Sequence, residues 1–304
     1  MNIVTLNDSP EMIAKAMGMA QQPTEKKSSG IVLPRLKIHN HAIMGTEEIK
    51  GKKVNIEKLS SGSFRIDMPD EGGTYFKENL EYRLFFQRFM YKKWDTAKNN
   101  FVRTVMTDNL KALRDMDVKD TDGGYNCGRP SGFMAKEDFD ALPEGRKNQI
   151  RSVKEVRVML GLANFDGCLK QEGNDLVDAD LGFVPFVWDI QNAESSKDVD
   201  AIVAKCSPEE LNVKSLEFLT KVETLERKLP NGNSYYVTKS SLDLSNKLDI
   251  TPEDEEHFVS FQSWIQGVNQ WVIGKHNELA HNNESVDKEL VESFIDITSE
   301  EKVQ

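Results

Sequence analysis

The chain has 304 residues, a net charge of −11, 38% hydrophobic residues and a mean hydropathy of −0.54. That is enough chain for one large or two ordinary domains with a sizeable core, and the acidic balance argues against a simple polyanion binder. No apolar run approaches the ~20 residues of a membrane-spanning helix. The N-terminus lacks the basic-then-apolar order of a signal peptide, and Cys127, Cys168 and Cys206 are too few and too widely spaced for a disulfide framework, so a cytoplasmic protein with reduced thiols is expected.

Residues 1–29 read as a flexible extension. Within it, Ser9 and Pro10 suit the start of a short helix whose Met12, Ile13, Ala16 and Met17 share a side. From Leu33 to about Asn192 the pattern is mostly strands. LPRLKIH, KKVNIE, SFRIDM, EYRLFFQRFMYKKW, NFVRTVM, VKEVRVMLGLANF and LGFVPFVWDI are β-branched and aromatic runs separated by Gly, Asp or Asn. DMDVKDTDGGYNCGRPSG reads as a long irregular loop, followed by short helices at KEDFDAL and EGRKNQIRSV. A helix is expected over 195–206. A long β-hairpin follows, with LPNGN between SLEFLTKVETLERK and SYYVTKSSLDL.

The last ordered element is an amphipathic helix over 252–281. Thr251 is its N-cap, Pro252 its first residue, and Glu253 and Asp254 suit its positive end. Phe258, Phe261, Ile265, Val268 and Val272 form a stripe that Trp264 and Trp271 widen, as expected of a helix docked on a β core. Residues 284–304 carry seven acidic and two basic residues, a net of −5, and read as a flexible acidic tail.

One segment departs from this acidity. Residues 83–114 hold eight basic and two acidic residues, a net of +6, so the rest of the chain carries −17. Seven of the 25 aromatics lie at Tyr82, Phe85, Phe86, Phe89, Tyr91, Trp94 and Phe101. Strict alternation along a strand puts Leu84, Phe86, Arg88, Met90, Lys92 and Trp94 on one face and Arg83, Phe85, Gln87, Phe89, Tyr91 and Lys93 on the other. The second face has rings and cations but no aliphatic residue. That suits a surface where bases stack on rings and cations follow phosphates. Candidate nucleic-acid contacts are therefore Arg83, Phe85, Arg88, Phe89, Tyr91, Lys92, Lys93, Trp94, Phe101 and Arg103. The competing reading is an ordinary core strand, with a bulge switching the faces midway. A second basic stretch, Arg146, Lys147, Arg151, Lys154 and Arg157, either extends the groove or is a solvated helix face.

Catalytic signatures are sparse. The sequence has no Walker loop, no GxGxxG and no GxSxG. His39-Asn40-His41 reads as incidental, and Asp115, Asp117, Asp120 and Asp122 miss the spacing of a calcium loop. No enzyme, cofactor or metal is expected.

The basic aromatic strands, strand-rich core and acidic C-terminus resemble the single-stranded DNA-binding proteins of bacteriophage replication. The strings LPRLKI, FQRFMYKKWD, NCGRPSGF, VPFVWDIQN and ERKLPNGNSYYV are also similar to a group of marine phage proteins. The resemblance implies an α+β, β-rich fold in which residues 30–283 form an OB-like antiparallel barrel elaborated by the hairpin and the C-terminal helix. It implies single-stranded DNA as partner and a tail that recruits replication proteins, with Phe294, Ile295 and Asp296 as anchors. The tail departs from that pattern by ending in EEKVQ. A structural or host-interaction protein and a metal-dependent nuclease remain the alternatives.

Overall fold

The structure, a computed structural model, describes residues 32–69, 72–206 and 215–300; the side chains of 49 and 281–300 lie outside that description. The helix expected near Pro10 and the anchors Phe294, Ile295 and Asp296 therefore fall outside the described side chains.

The elements are β1 (Arg35–His39), β2 (Ile43–Ile49), β3 (Lys52–Leu59), β4 (Ser63–Met68), β5 (Gly73–Lys77), β6 (Leu80–Asp95), β7 (Asn100–Arg103), α1 (Leu110–Asp115), α2 (Lys136–Ala141), α3 (Glu144–Ser152), β8 (Lys154–Asn164), β9 (Cys168–Glu172), β10 (Asp175–Ala179), β11 (Phe183–Ile190), α4 (Ala193–Lys205), β12 (Leu219–Lys228), β13 (Ser234–Asp243) and α5 (Pro252–Glu300). The helical backbone of α5 thus runs past the boundary at 281 read from its apolar stripe. Strands β2 and β3 pair only with each other, forming a ribbon in which Leu59 is the one buried residue among those described.

The other eleven strands form one sheet in the order β10-β9-β5-β4-β1-β11-β8-β6-β12-β13, with β7 also on β6. The fold is α+β and strand-rich as expected, but the sheet stays open and the OB-like barrel does not form. Closure needs the two terminal strands to pair, and among the described residues β10 and β13 do not. Every pairing in the sheet is antiparallel except β1 with β11.

The sheet is covered on both faces. On one, Phe258, Phe261 and Ile265 of α5 pack on Phe85, Phe86, Met90, Val158 and Leu160. The Phe86 and Phe258 rings are 4.6 Å apart, and Phe85 meets Phe261 edge-on at 5.5 Å. On the other, Val199 and Val203 of α4 pack with Tyr82, Leu84, Met159, Trp188 and Ile190. Rings that bury this much area dominate core energetics, which is why α5 docks with its predicted stripe inward.

The register of β6 decides where its side chains go. Leu84 pairs with Gly161 and Phe86 with Leu160, so Phe85 is an extra residue, a β-bulge. Alternation restarts there. Arg83, Phe85, Phe86, Arg88, Met90, Lys92 and Trp94 share the α5 face, and Leu84, Gln87, Phe89, Tyr91 and Lys93 take the opposite one. The bulge requires glycine opposite it, because a Cβ on Gly161 would lie 2.0 Å from the Arg83 carbonyl oxygen.

Two buried polar groups lock the layers. Arg83 donates to both oxygens of Asp254 (2.8 and 3.0 Å) and to the Leu216 carbonyl (2.7 Å). Asp254 also accepts from the Thr251 amide while Thr251 Oγ1 accepts from the Asp254 amide, a reciprocal cap on α5. On the opposite face the fully buried Arg157 reaches Gln87, Ser196 and Asp200.

Candidate nucleic-acid interface

The parallel pairing of β1 with β11 extends over a single register, Arg35 opposite Val187. Beyond it β1 stays bonded to β4 and β11 stays bonded to β8, so the two strands part. The gap is a cleft of about 700 Å³, a size suited to small ligands and short polymer segments. Its walls carry Arg35, Lys37, Lys92 and Arg103 against one carboxylate, Asp189, a net of +3 in a chain of −11. Phe101, Trp188, Tyr235 and Tyr236 supply rings.

Strand pairing sets the α5-side wall. Phe101 lies opposite Trp94 and Arg103 opposite Lys92, so β7 and the end of β6 present all four side chains on one face. The Trp94 and Phe101 rings meet edge-on at 4.7 Å and are 45% and 44% exposed, respectively. Lys92 Nζ sits 4.6 Å from the Phe101 ring centre and donates to Asp189 Oδ2 at 3.0 Å; Arg35 approaches the same oxygen at 3.6 Å. Arg103 lies over the ring of Trp271 from α5, at 5.4 Å, with its buried Nε lacking a hydrogen-bond partner among the described residues. Burial lowers the Arg103 pKa and neighbouring Arg35 adds to that, while Asp189 opposes it. Lys37 is held by Asp67 at 2.9 Å. The far wall comes from the β12–β13 hairpin, whose Thr224 donates to the Gly62 carbonyl (2.8 Å) and holds Tyr236 against the turn before β4.

Of the residues expected to contact nucleic acid, five belong to the interior instead. Phe85, Phe89 and Tyr91 are buried, Phe85 beneath α5 and the other two with Val102, Leu113 and Val118. Arg83 is spent on Asp254, and buried Arg88 pairs with Asp108 at 3.2 Å. Burial lowers the Arg88 pKa against the pull of Asp108. Buried cations need such partners, and the bulge with α5 above it supplies the enclosure that a lone strand pattern does not show. Lys92, Trp94, Phe101 and Arg103 do converge, with Lys92, Phe101 and Arg103 lining the cleft and Trp94 packed on Phe101. Lys93 is half-buried on the opposite face from Lys92.

The second basic stretch does not extend the cleft. Arg151 and Lys147 pair with Glu144 of their own helix, and Arg157 is interior. In the long loop, buried Asp120 accepts from the amides of Asp122, Gly124 and Cys127, making it a turn organiser. Among the described residues no three His, Cys, Asp or Glu side chains gather as metal ligands. His39 packs edge-on against Phe76. No described helix is long and apolar enough to cross a membrane.

Arg35, Lys37, Asp189, Tyr235 and Tyr236 complete the site and were not singled out by sequence, while Trp271, read there only as part of the apolar stripe of α5, is half exposed beneath Arg103. Two signals were present: Arg35 and Lys37 alternate within LPRLKI, so they share a strand face, and Tyr235-Tyr236 follows the hairpin turn directly. No protein-family model, curated protein or solved structure matches the chain.

Proposed function

We propose that the protein is a non-enzymatic binder of single-stranded DNA that holds the strand in the cleft between β1 and β11. The observation that carries this reading is the coincidence of four cations with open rings around a cleft in an otherwise acidic protein. Rings accept unpaired bases at about 1–3 kcal/mol per base while cations track the phosphates. An open sheet with a cleft at one strand junction performs the task that the resemblance assigned to an OB-like groove. Replication proteins are the proposed partners of the acidic C-terminal segment, and the host cytoplasm is the proposed location.

Titrating a labelled oligothymidine with the protein at low and high salt tests the reading. Micromolar binding at low salt that weakens steeply with added salt is expected, through counterion release. Replacing Trp94 and Phe101 with alanine should cost about 1–3 kcal/mol of binding for each base that no longer stacks on a ring. No binding at low salt, or binding indifferent to salt, overturns it.

The exposed β2–β3 ribbon favours one other reading, an assembly or adaptor protein. A large, salt-resistant oligomer that ignores DNA, seen by light scattering, would support it.

A further inference from the structure

Asp189 is unexpected in a cleft built for phosphates. It is the only carboxylate among the lining residues, and it sits between Arg35, Lys92 and Arg103. Both Lys92 and Arg35 approach one of its oxygens, Oδ2. Lys92 places its hydrogen bond on Oδ2, and among the described residues no hydrogen bond falls on Oδ1. The site therefore offers an acceptor-only group, fixed by two cations, beside the guanidinium of Arg103, which lines the same cleft. The exposed Phe101 ring stands at the same wall.

The four bases meet such a group differently. Thymine presents one N–H flanked by two carbonyl oxygens, which a carboxylate repels. Adenine and cytosine each present one amino group beside a ring-nitrogen acceptor. Only guanine places two donors side by side, N1–H and the N2 amino group, next to an acceptor, O6. A carboxylate takes up two parallel donors best, and a neighbouring guanidinium donates to O6.

We infer that Asp189 is a specificity-determining residue that accepts from the Watson–Crick edge of an unpaired guanine, with Arg103 donating to O6 and Phe101 against the base. This rests on the single-strand reading above and makes the cleft selective for guanine-bearing strands. The opposite role is also definable. If Asp189 were only an internal stand-in for phosphate, removing its charge would tighten every strand alike.

Three strands of about a dozen nucleotides separate these cases at low salt with the full-length protein: thymidine only, the same strand with two central guanines, and the same with two central inosines, which keep N1–H and O6 but lack the N2 amino group. The guanine strand should bind roughly 5- to 150-fold more tightly than the thymidine strand, with the inosine strand between them. In Asp189→Asn that ratio should collapse towards one. Equal affinity of the wild-type protein for all three strands overturns the inference and leaves the single-strand reading standing. Failure to bind any strand overturns both. A guanine preference that survives in Asp189→Asn, or a uniform tightening of all three strands, assigns Asp189 another role and overturns the inference. The wild-type comparison needs no variant, so it stands even if Asp189→Asn folds poorly.

Discussion

Along β6, the stretch from Arg83 to Tyr91 and the stretch from Lys92 to Asp95 both interleave cations with rings, yet the first is enclosed on both faces and the second opens at the cleft. In the first, Arg83 and Arg88 are matched one to one by Asp254 and Asp108, and the rings pack under α5 or against Val102 and Leu113. In the second, Lys92, with Arg103 of the paired β7 and Arg35 of β1, gathers around the single carboxylate of Asp189, and Trp94 and its β7 neighbour Phe101 stay nearly half exposed. Composition is the same in kind; the number of opposing carboxylates and the presence of a covering layer differ. The segment therefore opens to solvent only where its cations outnumber their acidic partners and its rings remain uncovered.

The largest effect should come from the enclosed half. Gly161→Ala pushes a methyl group into the Arg83 carbonyl opposite the bulge, and strain of that kind exceeds about 3 kcal/mol when backbone has to move. The variant should lose its cooperative thermal transition or unfold at a much lower temperature. A wild-type melting curve would show that the bulge does not set the register.

Asp254→Ala comes next. It leaves the Arg83 guanidinium buried without its carboxylate, which costs about 3–5 kcal/mol; the double variant Arg83→Met, Asp254→Leu loses the Thr251 cap and the Leu216 contact as well but buries no unpaired charge, so it should be the less destabilised of the two. Urea denaturation of Asp254→Ala beside that double variant reads the difference. Equal destabilisation of the two would place the energy in packing rather than in the ion pair.

The smallest effect on stability should fall at the cleft. Arg35→Ala removes a half-exposed partner of Asp189, and exposed pairs contribute only about 0–1 kcal/mol. Its signature should appear in binding instead, as a salt-dependence slope shallower by about 0.7 for each phosphate of a single strand that is no longer neutralised. A clear drop in stability with an unchanged slope would make Arg35 a structural residue and erase the contrast between the two halves.

Much of this fold could be read along the chain. Seven of the strands, the Asn231-Gly232 hairpin and the start of the final helix follow from local pattern, because alternation, turn chemistry and capping act over a few residues. Gly232 does take the positive φ the turn needs, at 85°. The strands β5, β9 and β10 are short and rich in Gly, Asp or Lys, and their pairing partners rather than their own residues define them.

Local pattern alone dictated that a strand-rich core would carry an amphipathic helix, and that cations and rings would concentrate between Arg83 and Arg114. Which of those residues line the open cleft and which are enclosed was decided by the three-dimensional packing. The bulge at Phe85 reversed the alternation, since one inserted residue moves every later side chain to the other face. Asp254 and Asp189 then met their cations from remote parts of the chain, and the parting of β1 from β11 joined Arg35 to Asp189 and Tyr236 around one cleft. Such encounters depend on long-range pairing and register, which no local window of residues encodes.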